Sequence, residues 1–272
     1  MEAISVIMPA FNAEKTLARA VLSTLSALTE FDELLIIEDG SGDGTGRVAK
    51  SFTDERVRIL TNSENLGLAR SLNLGLVAAR NRIIARMDSD DVCLPWRFRV
   101  QRKLFDRKRP DFLFGSQVLL AKTFPILIPH TYVTRSSPGS LERALGLACV
   151  LAHPTMMSTK STLMALGQYR DVVAEDYDLW LRAVLNGKSI LRHWMPVNLY
   201  RMGSQSLSKK DAKGEGHLSH LTKNRISILG SREENITDPI IGITKYRRNL
   251  SFKDPLLFLE TGIFISPLRT LI

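Results

Sequence analysis

The sequence predicts an α/β protein: a mainly parallel sheet flanked by helices, continued by a mixed, partly antiparallel second half. Three observations predict it. From the start to about residue 91, short β-rich runs alternate with longer segments of helical apolar spacing, the arrangement that gives parallel strands joined by crossover helices. Turn residues, Gly and Asp above all, follow the apolar runs, as they do at strand ends. After about residue 110 the alternation fades, Pro125 and Pro129 interrupt an apolar run, and the turn-rich Ser136-Ser-Pro-Gly139 follows.

Each element has its own reason. Ser5 to Met8 is an apolar strand that breaks at Pro9 and feeds a helix from Glu14 to Leu28, with Leu17, Val21, Leu25 and Leu28 at helical spacing. Leu34 to Ile37 is the second strand. It runs into Glu38-Asp-Gly-Ser-Gly-Asp-Gly-Thr45, whose glycines mark a tight turn and whose Asp43 suits a helix cap. Val57 to Leu60 is the third strand, and a helix from Leu66 to Ala79 follows, with Asn81 just past its end as a left-handed C-cap. Arg82 to Ala85 leads the fourth strand into Ala85-Arg-Met-Asp-Ser-Asp-Asp91. Ligands of open parallel sheets bind at the carboxyl ends of the strands, where the loops starting at Pro9, Glu38 and Asp88 converge.

Later elements are less regular. Arg97, Arg99, Arg102, Lys103, Arg107, Lys108 and Arg109 alternate with Phe98, Gln101, Leu104 and Phe105 at helical spacing. This is a basic amphipathic helix: either its apolar side covers the sheet and its basic side is solvated, or the basic side meets anionic membrane or a lipid diphosphate. A helix starting near Glu175 turns Leu179, Trp180, Ala183 and Val184 inward, with Asp176 above that face.

Composition bounds the function. The 272 residues are 44% hydrophobic and carry 37 Lys and Arg against 28 Asp and Glu, a formal charge of +9 that favours anionic partners. Nucleic acid is not expected among them, because aromatic and basic residues do not interleave as in single-strand platforms. Cys93 and Cys149 suggest no disulfide framework and fit a cytoplasmic protein. Apolar runs such as Ile4 to Ala10 fall far short of the roughly 20 residues of a spanning helix, and the N-terminus lacks signal-peptide character. A soluble or peripheral protein is expected.

Asp88, Asp90 and Asp91 place three carboxylates at a strand exit, a density of charge that calls for a cation. The Asp88-Ser-Asp90 spacing suits oxygen ligation of one hard divalent ion, with diphosphate oxygens completing the shell.

Ser5-Val-Ile-Met-Pro-Ala-Phe-Asn12, Glu38-Asp-Gly-Ser-Gly-Asp-Gly-Thr45, Asn65-Leu-Gly-Leu-Ala-Arg-Ser-Leu-Asn73 and Ala85-Arg-Met-Asp-Ser-Asp-Asp91, in this order, resemble the family 2 glycosyltransferases of GT-A fold. Ala174-Glu-Asp-Tyr-Asp-Leu-Trp-Leu-Arg182 looks like that family's acceptor-side acidic motif, preceded by the similar His153-Pro-Thr155 and Gly167-Gln-Tyr-Arg170. The resemblance covers roughly residues 3 to 208 and implies a Rossmann-like GT-A domain that transfers a sugar, usually with inversion, from a nucleotide diphosphate sugar. It implies that Pro9, Ala10, Phe11, Glu38, Asp39, Asp88 and Ser89 bind the nucleotide-sugar, with Asp39 on the base, uracil by preference. Asp88 and Asp90 serve the ribose and the metal-bound diphosphate, Asp90 as the direct ligand of Mn²⁺ or Mg²⁺. Asp176 is the implied general base, Glu175 its rival, and His153 an acceptor-side residue. The acceptor would be a saccharide or lipid-linked precursor of bacterial surface or exopolysaccharide.

Plainer readings stand beside these. Asp39 could serve a turn, His153 could be an ordinary strand-end histidine, and Asp176 a carboxylate favoured at a helix N-terminus. Asp178 and Arg182 read as a solvated i,i+4 bridge. Two departures from the family pattern stand out: Tyr200-Arg-Met-Gly203 has Gly where many relatives place a metal-approaching His, and Glu38 replaces the usual Asp. A nucleotidylyltransferase would need a Gly-rich, basic phosphate loop that Pro9-Ala-Phe-Asn12 lacks; a silent nucleotide-sugar binder would have lost a carboxylate.

The expected organisation is a domain over 1–208, split into a nucleotide-sugar half (1–110) and an acceptor half (111–208), then a tail over 209–272. The tail's apolar Pro255 to Ile272 would pack on the domain, form a dimer interface or lie on a membrane surface.

Overall fold

The computed structural model describes residues 2–120, 127–129, 138–147 and 149–201. Strand β1 (Ile4–Ala10), helix α1 (Leu17–Ala27), β2 (Glu33–Glu38), α2 (Thr45–Lys50), β3 (Val57–Thr61), α3 (Leu68–Ala78) and β4 (Ile83–Arg86) form the repeating first half. They are followed by β5 (Val92–Cys93), α4 (Arg97–Lys108), β6 (Phe112–Leu120), β7 (Leu127–Pro129), α5 (Pro138–Leu147), β8 (Met157–Thr159), α6 (Lys160–Ala165), α7 (Glu175–Leu185) and β9 (Ile190–Arg201). The strands make one sheet in the order β3-β2-β1-β4-β8-β6-β9-β5, with β7 paired to β6. Pairing is parallel from β3 to β4, antiparallel through β8, and parallel again between β6 and β9.

Alternation along the strands splits the core into two layers. Leu34, Ile36, Ile83, Ala85 and Leu113 pack with Leu17, Val21, Phe98 and Phe105 on the α1 and α4 side. Leu35, Ile37, Ile84, Phe112 and Phe114 pack with Leu72, Leu76 and Trp180 on the α3 and α7 side.

Several boundaries differ from expectation for identifiable reasons. Pro9 lies inside β1. Ile7 accepts the Met87 N–H at 3.0 Å, and Pro9, two residues on, faces the same side after β4 has ended, so its missing N–H breaks no ladder. Helix α3 starts at Leu68 because the N–H groups of Leu66 and Gly67 are donated to Asp39. Asn81 is no C-cap: α3 ends at Ala79 in extended conformation, and the Asn81 N–H donates to Ser5 Oγ at 3.0 Å. Asp43 sits one residue before the N-cap Gly44, where it accepts the Thr45 N–H at 2.9 Å.

Two charge readings are corrected. Arg97 and Arg102 do not belong to a solvated face: both are buried, Arg97 donating to the Arg86 carbonyl at 2.7 Å and Arg102 pairing with buried Asp32. The outer face of α4 keeps Arg99, Lys103 and Arg107. Asp178 and Arg182 form a buried pair at 2.7 Å rather than a surface bridge. The Arg182 guanidinium also donates to the carbonyls of Leu166 and Gln168, which ties the 166–170 turn to α7. The tail over 209–272 and Gly203 lie outside the described residues.

Gly75 offers a test of the packing. A Cβ there would meet Ile7 Cγ2 at 2.5 Å and Ile37 Cδ1 at 3.3 Å, so α3 approaches the sheet through this position. Alanine would add about 1 kcal/mol of helix propensity, but forcing a methyl into a packed core costs about 1 to 3 kcal/mol. Gly75→Ala is expected to lower stability to urea, whereas Gly42→Ala, whose methyl would meet nothing within 4 Å, leaves it unchanged or slightly higher.

Candidate active site

The loops after β1 and β2 are laced together at the carboxyl edge of the sheet. The Asp39 N–H donates to the Ala10 carbonyl at 2.9 Å, the Gly42 N–H to Asn12 Oδ1 at 3.0 Å, and the Asn12 N–H to Ser41 Oγ at 3.1 Å. Asn12 takes φ of 48° to turn the chain, leaving Phe11 exposed beside Pro9 and buried Ala10. Glu38 is buried and accepts the Ser41 N–H at 2.7 Å. Gly40, at φ 65°, brings this turn so close to the next loop that a Cβ would lie 2.3 Å from the Glu64 carbonyl carbon.

Asp39 is buried as well. Its carboxylate accepts Asn62 Nδ2 at 2.7 Å and the N–H groups of Leu66 and Gly67, each at 3.0 Å. It thus fastens the Asn65–Gly67 segment over the ends of β1 and β2. An ionised carboxylate offers about four lone-pair positions, so one is left for another donor.

The acidic loop after β4 sorts its three carboxylates. Asp91 is fully buried, accepting Asn198 Nδ2 at 2.6 Å, Gln117 Nε2 at 3.4 Å and the Arg201 N–H at 3.1 Å. It anchors the loop to β6 and β9; burial, then Asp88 and Asp90, hold its pKa well above the usual carboxylate range. Asp88, Ser89 and Asp90 are half-buried. Asp88 forms an ion pair with Arg86, whose side chain is only 4% exposed. Burial works against the Arg86 charge, but Asp88 outweighs it and keeps the pKa raised. Asp90 is pushed up to about 6 by burial and by Asp88.

Arg86 also interacts electrostatically with the carboxylates at the start of α7. Ala174, at φ 56°, turns the chain so that Glu175 and Asp176 open the helix. Buried His153, in the short turn His153–Thr155 and not at a strand end, lies with Nδ1 3.9 Å from Glu175 Oε1 and 4.0 Å from Asp176 Oδ2. Its Nε2 meets the Tyr169 hydroxyl at 3.0 Å. Burial and Arg86 hold His153 well below its ordinary pKa, so it is neutral. Glu175 is raised to about 7 by burial and by Asp176, and burial raises Asp176 too. Asp176 Oδ1 accepts the Tyr177 N–H at 2.7 Å, leaving Oδ2 toward His153.

Asp88 and Asp90 are the described residues that could hold a hard divalent cation. Burial first and Asp88 second raise the Asp90 pKa, against the opposing charge of Arg86. Among the described residues no group of three His, Cys, Asp or Glu side chains is assembled for a metal. An ion here would therefore need oxygens from a ligand, the pattern of Mg²⁺ sites built on one or two carboxylates and substrate phosphates.

Sequence reasoning assigned no role to Arg86 or Tyr169. For Arg86 a signal was present: it stands two residues before Asp88 at the end of a strand, and the period of two places both on one face. For Tyr169 the signal was its place in the family-like Gly167-Gln-Tyr-Arg170 segment, but its pairing with His153 comes only through the fold.

Comparison with known proteins supports the same grouping. The profile of Glycosyl transferase family 2 matches residues 5–140. EpsE of Bacillus subtilis is 33% identical over 186 residues, 66% of each chain. The Escherichia coli UDP-Glc:alpha-D-GlcNAc-diphosphoundecaprenol beta-1,3-glucosyltransferase WfgD is 28% identical over 233 residues, 85% of this chain and 87% of its own. The solved structure of S. aureus TarS 1-349 in complex with UDP-GlcNAc superposes with a TM-score of 0.63 at 18% identity, over 76% of this chain and 60% of that one. The chain thus spans about two thirds of EpsE and somewhat less of TarS. The sheet has the GT-A architecture expected from the motifs, and with the family profile covering every nucleotide-side loop described above, the chain belongs to glycosyltransferase family 2.

Proposed function

We propose that this chain is a metal-dependent, inverting glycosyltransferase that moves a sugar from a UDP-sugar to a saccharide or lipid-linked acceptor. It would act at the cytoplasmic face of the membrane in synthesis of a bacterial surface or extracellular polysaccharide. The observation that carries the reading is the placement of two carboxylate pairs around Arg86: Asp88 and Asp90 at the end of β4, Glu175 and Asp176 at the start of α7. Support for the donor comes from TarS, solved with UDP-GlcNAc and with UDP. Support for the acceptor comes from WfgD, named for a diphosphoundecaprenol acceptor, and from the Erwinia amylovora amylovoran biosynthesis glycosyltransferase AmsE, 26% identical.

In this reading Pro9, Ala10, Phe11, Glu38 and Ser89 rim the nucleoside site, and the free lone-pair position of Asp39 takes the N–H of the base. Asp90, with Asp88, holds Mn²⁺ or Mg²⁺, which when bound supplies positive charge against the departing diphosphate. The acceptor hydroxyl oxygen attacks the anomeric carbon opposite the diphosphate. The carbon–oxygen bond to the diphosphate breaks with its electron pair, and the hydroxyl proton passes to Asp176 Oδ2. Neutral His153 and Tyr169 wall the acceptor side without adding positive charge beside the base. No helix among the described residues is long and apolar enough to cross a membrane. Arg99, Lys103, Asp106 and Arg107 line an open groove of about 480 Å³ on α4, a net basic surface on which anionic lipid would rest.

Calorimetric titration with UDP, GDP and dTDP, each with and without Mn²⁺, tests the donor assignment: UDP binding that requires metal supports it, and binding of another nucleotide replaces it. Asp90→Asn is expected to abolish metal-dependent binding. Asp176→Asn is expected to leave binding intact and to lower turnover by about 100-fold or more, the scale of general-base catalysis. If Glu175→Gln does this instead, Glu175 is the base.

Glu175 also gives a stability prediction with a definite sign. Its folded pKa of about 7 lies above the ordinary 4.5, so between these values the folded chain binds more protons than the unfolded one and stability falls as pH rises. Glu175→Gln should therefore stabilise the protein at pH 8, by about 3 kcal/mol at most, and have no such effect below about pH 4.5. Urea unfolding at the two pH values measures it.

A further inference from the structure

Building on the proposed donor reading, we infer that Arg86 is a resident counter-ion that competes with the divalent cation for Asp88, so that metal and nucleotide are taken up together and not in isolation. The argument starts from what is free to bind. Asp91 has both carboxylate oxygens engaged by Asn198, Gln117 and the Arg201 N–H. Asp88 is held by Arg86. Of the three carboxylates of the loop, Asp90 has no hydrogen bond or ion pair to a side chain among the described residues, and a hard cation needs about six oxygen ligands.

Arg86 is well placed for this competition. Its side chain is 4% exposed and its backbone is fixed by β4, by the Met156 carbonyl at 3.1 Å and by Arg97 at 2.7 Å. Among the described residues its Nε and Nη1 find no hydrogen-bond partner, so the ion pair of Nη1 with Asp88 is the main compensation of the buried charge, with Glu175 contributing less. A guanidinium cannot escape by losing its proton. A cation arriving alone would have to strip Asp88 from Arg86 and leave that buried charge without the one carboxylate it pairs with directly, a costly change in a buried site. A cation arriving with a diphosphate brings anionic oxygens of its own. Arg86 then turns from Asp88 toward the diphosphate or toward Glu175 and Asp176, which already lie within its electrostatic reach.

The test is the affinity of the full chain for Mn²⁺, measured by the loss of the free-ion electron paramagnetic resonance signal, with and without UDP. The wild type is expected to bind Mn²⁺ at least 5-fold more tightly with UDP present, within the usual 5- to 150-fold range of coupled sites. Arg86→Met, its fold checked by circular dichroism, is expected to bind Mn²⁺ alone at least about 5-fold more tightly than the wild type and to show less UDP enhancement. Arg86→Lys, which keeps the charge and is the fallback where the methionine variant does not fold, should stay near wild type. An additional Asp88→Asn change should erase the difference between Arg86→Met and wild type. Folded Arg86→Met that binds Mn²⁺ no more tightly than wild type overturns the inference while leaving the donor reading intact. Loss of all Mn²⁺-dependent UDP binding in the wild type overturns the donor reading itself. An Arg86→Lys variant that gains Mn²⁺ affinity counts against the charge of Arg86 as the competitor.

Discussion

One buried guanidinium makes the site permissible. Asp88, Asp90, Glu175 and Asp176 all lie within the electrostatic surroundings of Arg86, and four carboxylates in so small and half-dry a space would repel each other strongly at the effective dielectric of a protein surface. Arg86, buried and in direct contact with Asp88, relieves part of that repulsion. Burial first, and the neighbouring carboxylates second, still raise the pKa values of Asp90 and Glu175. Such residual strain is common where a fold holds groups for a ligand that carries the missing charge.

The rest of the architecture positions that charge. Strand β4 is the seam of the sheet, parallel to β1 on one side and antiparallel to β8 on the other. Ile84, Arg86 and Asp88 share one face by the period of two, and along it the surroundings change from core to buried polar to half-open. Behind the seam, Arg97 pins the Arg86 carbonyl and Gln101 the Thr155 carbonyl at 2.8 Å. A single helix therefore fastens both the strand that carries Arg86 and the turn that carries His153. The basic segment is in this respect divided: inward Arg97 supports the site, inward Arg102 pairs with Asp32 at the other end of the sheet, and the outward residues remain surface charge.

The same division marks what the sequence could reveal. The first four strands and their helices were readable because a fully buried strand and an amphipathic helix leave unmistakable apolar patterns, and the loops at strand ends needed only topology to be placed. Charge was harder to read. Arg97, Arg102 and the Asp178–Arg182 pair looked solvated, because a charged residue at helical spacing gives no sign of whether a carbonyl or carboxylate from elsewhere waits to receive it. Asp39 shows the same limit: its partners Asn62, Leu66 and Gly67 lie 23 to 28 residues away, and only the packing of the β3–α3 segment over the sheet brings them to it. The Asp88–Arg86 pair stands within the motif itself, but three carboxylates at a strand exit point as readily to an external cation as to the internal one.

The two sides of the site are built from different materials, and this bears on how each can vary. The donor side is held by backbone N–H groups donated to four side chains: Ser41, Glu38, Asn12 and Asp39 accept those of Asn12, Ser41, Gly42, Leu66 and Gly67, so these acceptors fix the loop while the side chain of Leu66 makes none of these bonds. The acceptor side is held by buried side chains. Arg182 grips Asp178 and two carbonyls of the 166–170 turn, and that turn presents Tyr169 to His153. A buried charged pair fixes geometry only while both members are present, and losing one leaves the other uncompensated. The acceptor pocket can therefore be remodelled at the residues it displays, but not at the pair beneath them. Diversity of acceptors within one fold is expected to arise on the displayed layer, above a fixed and buried support.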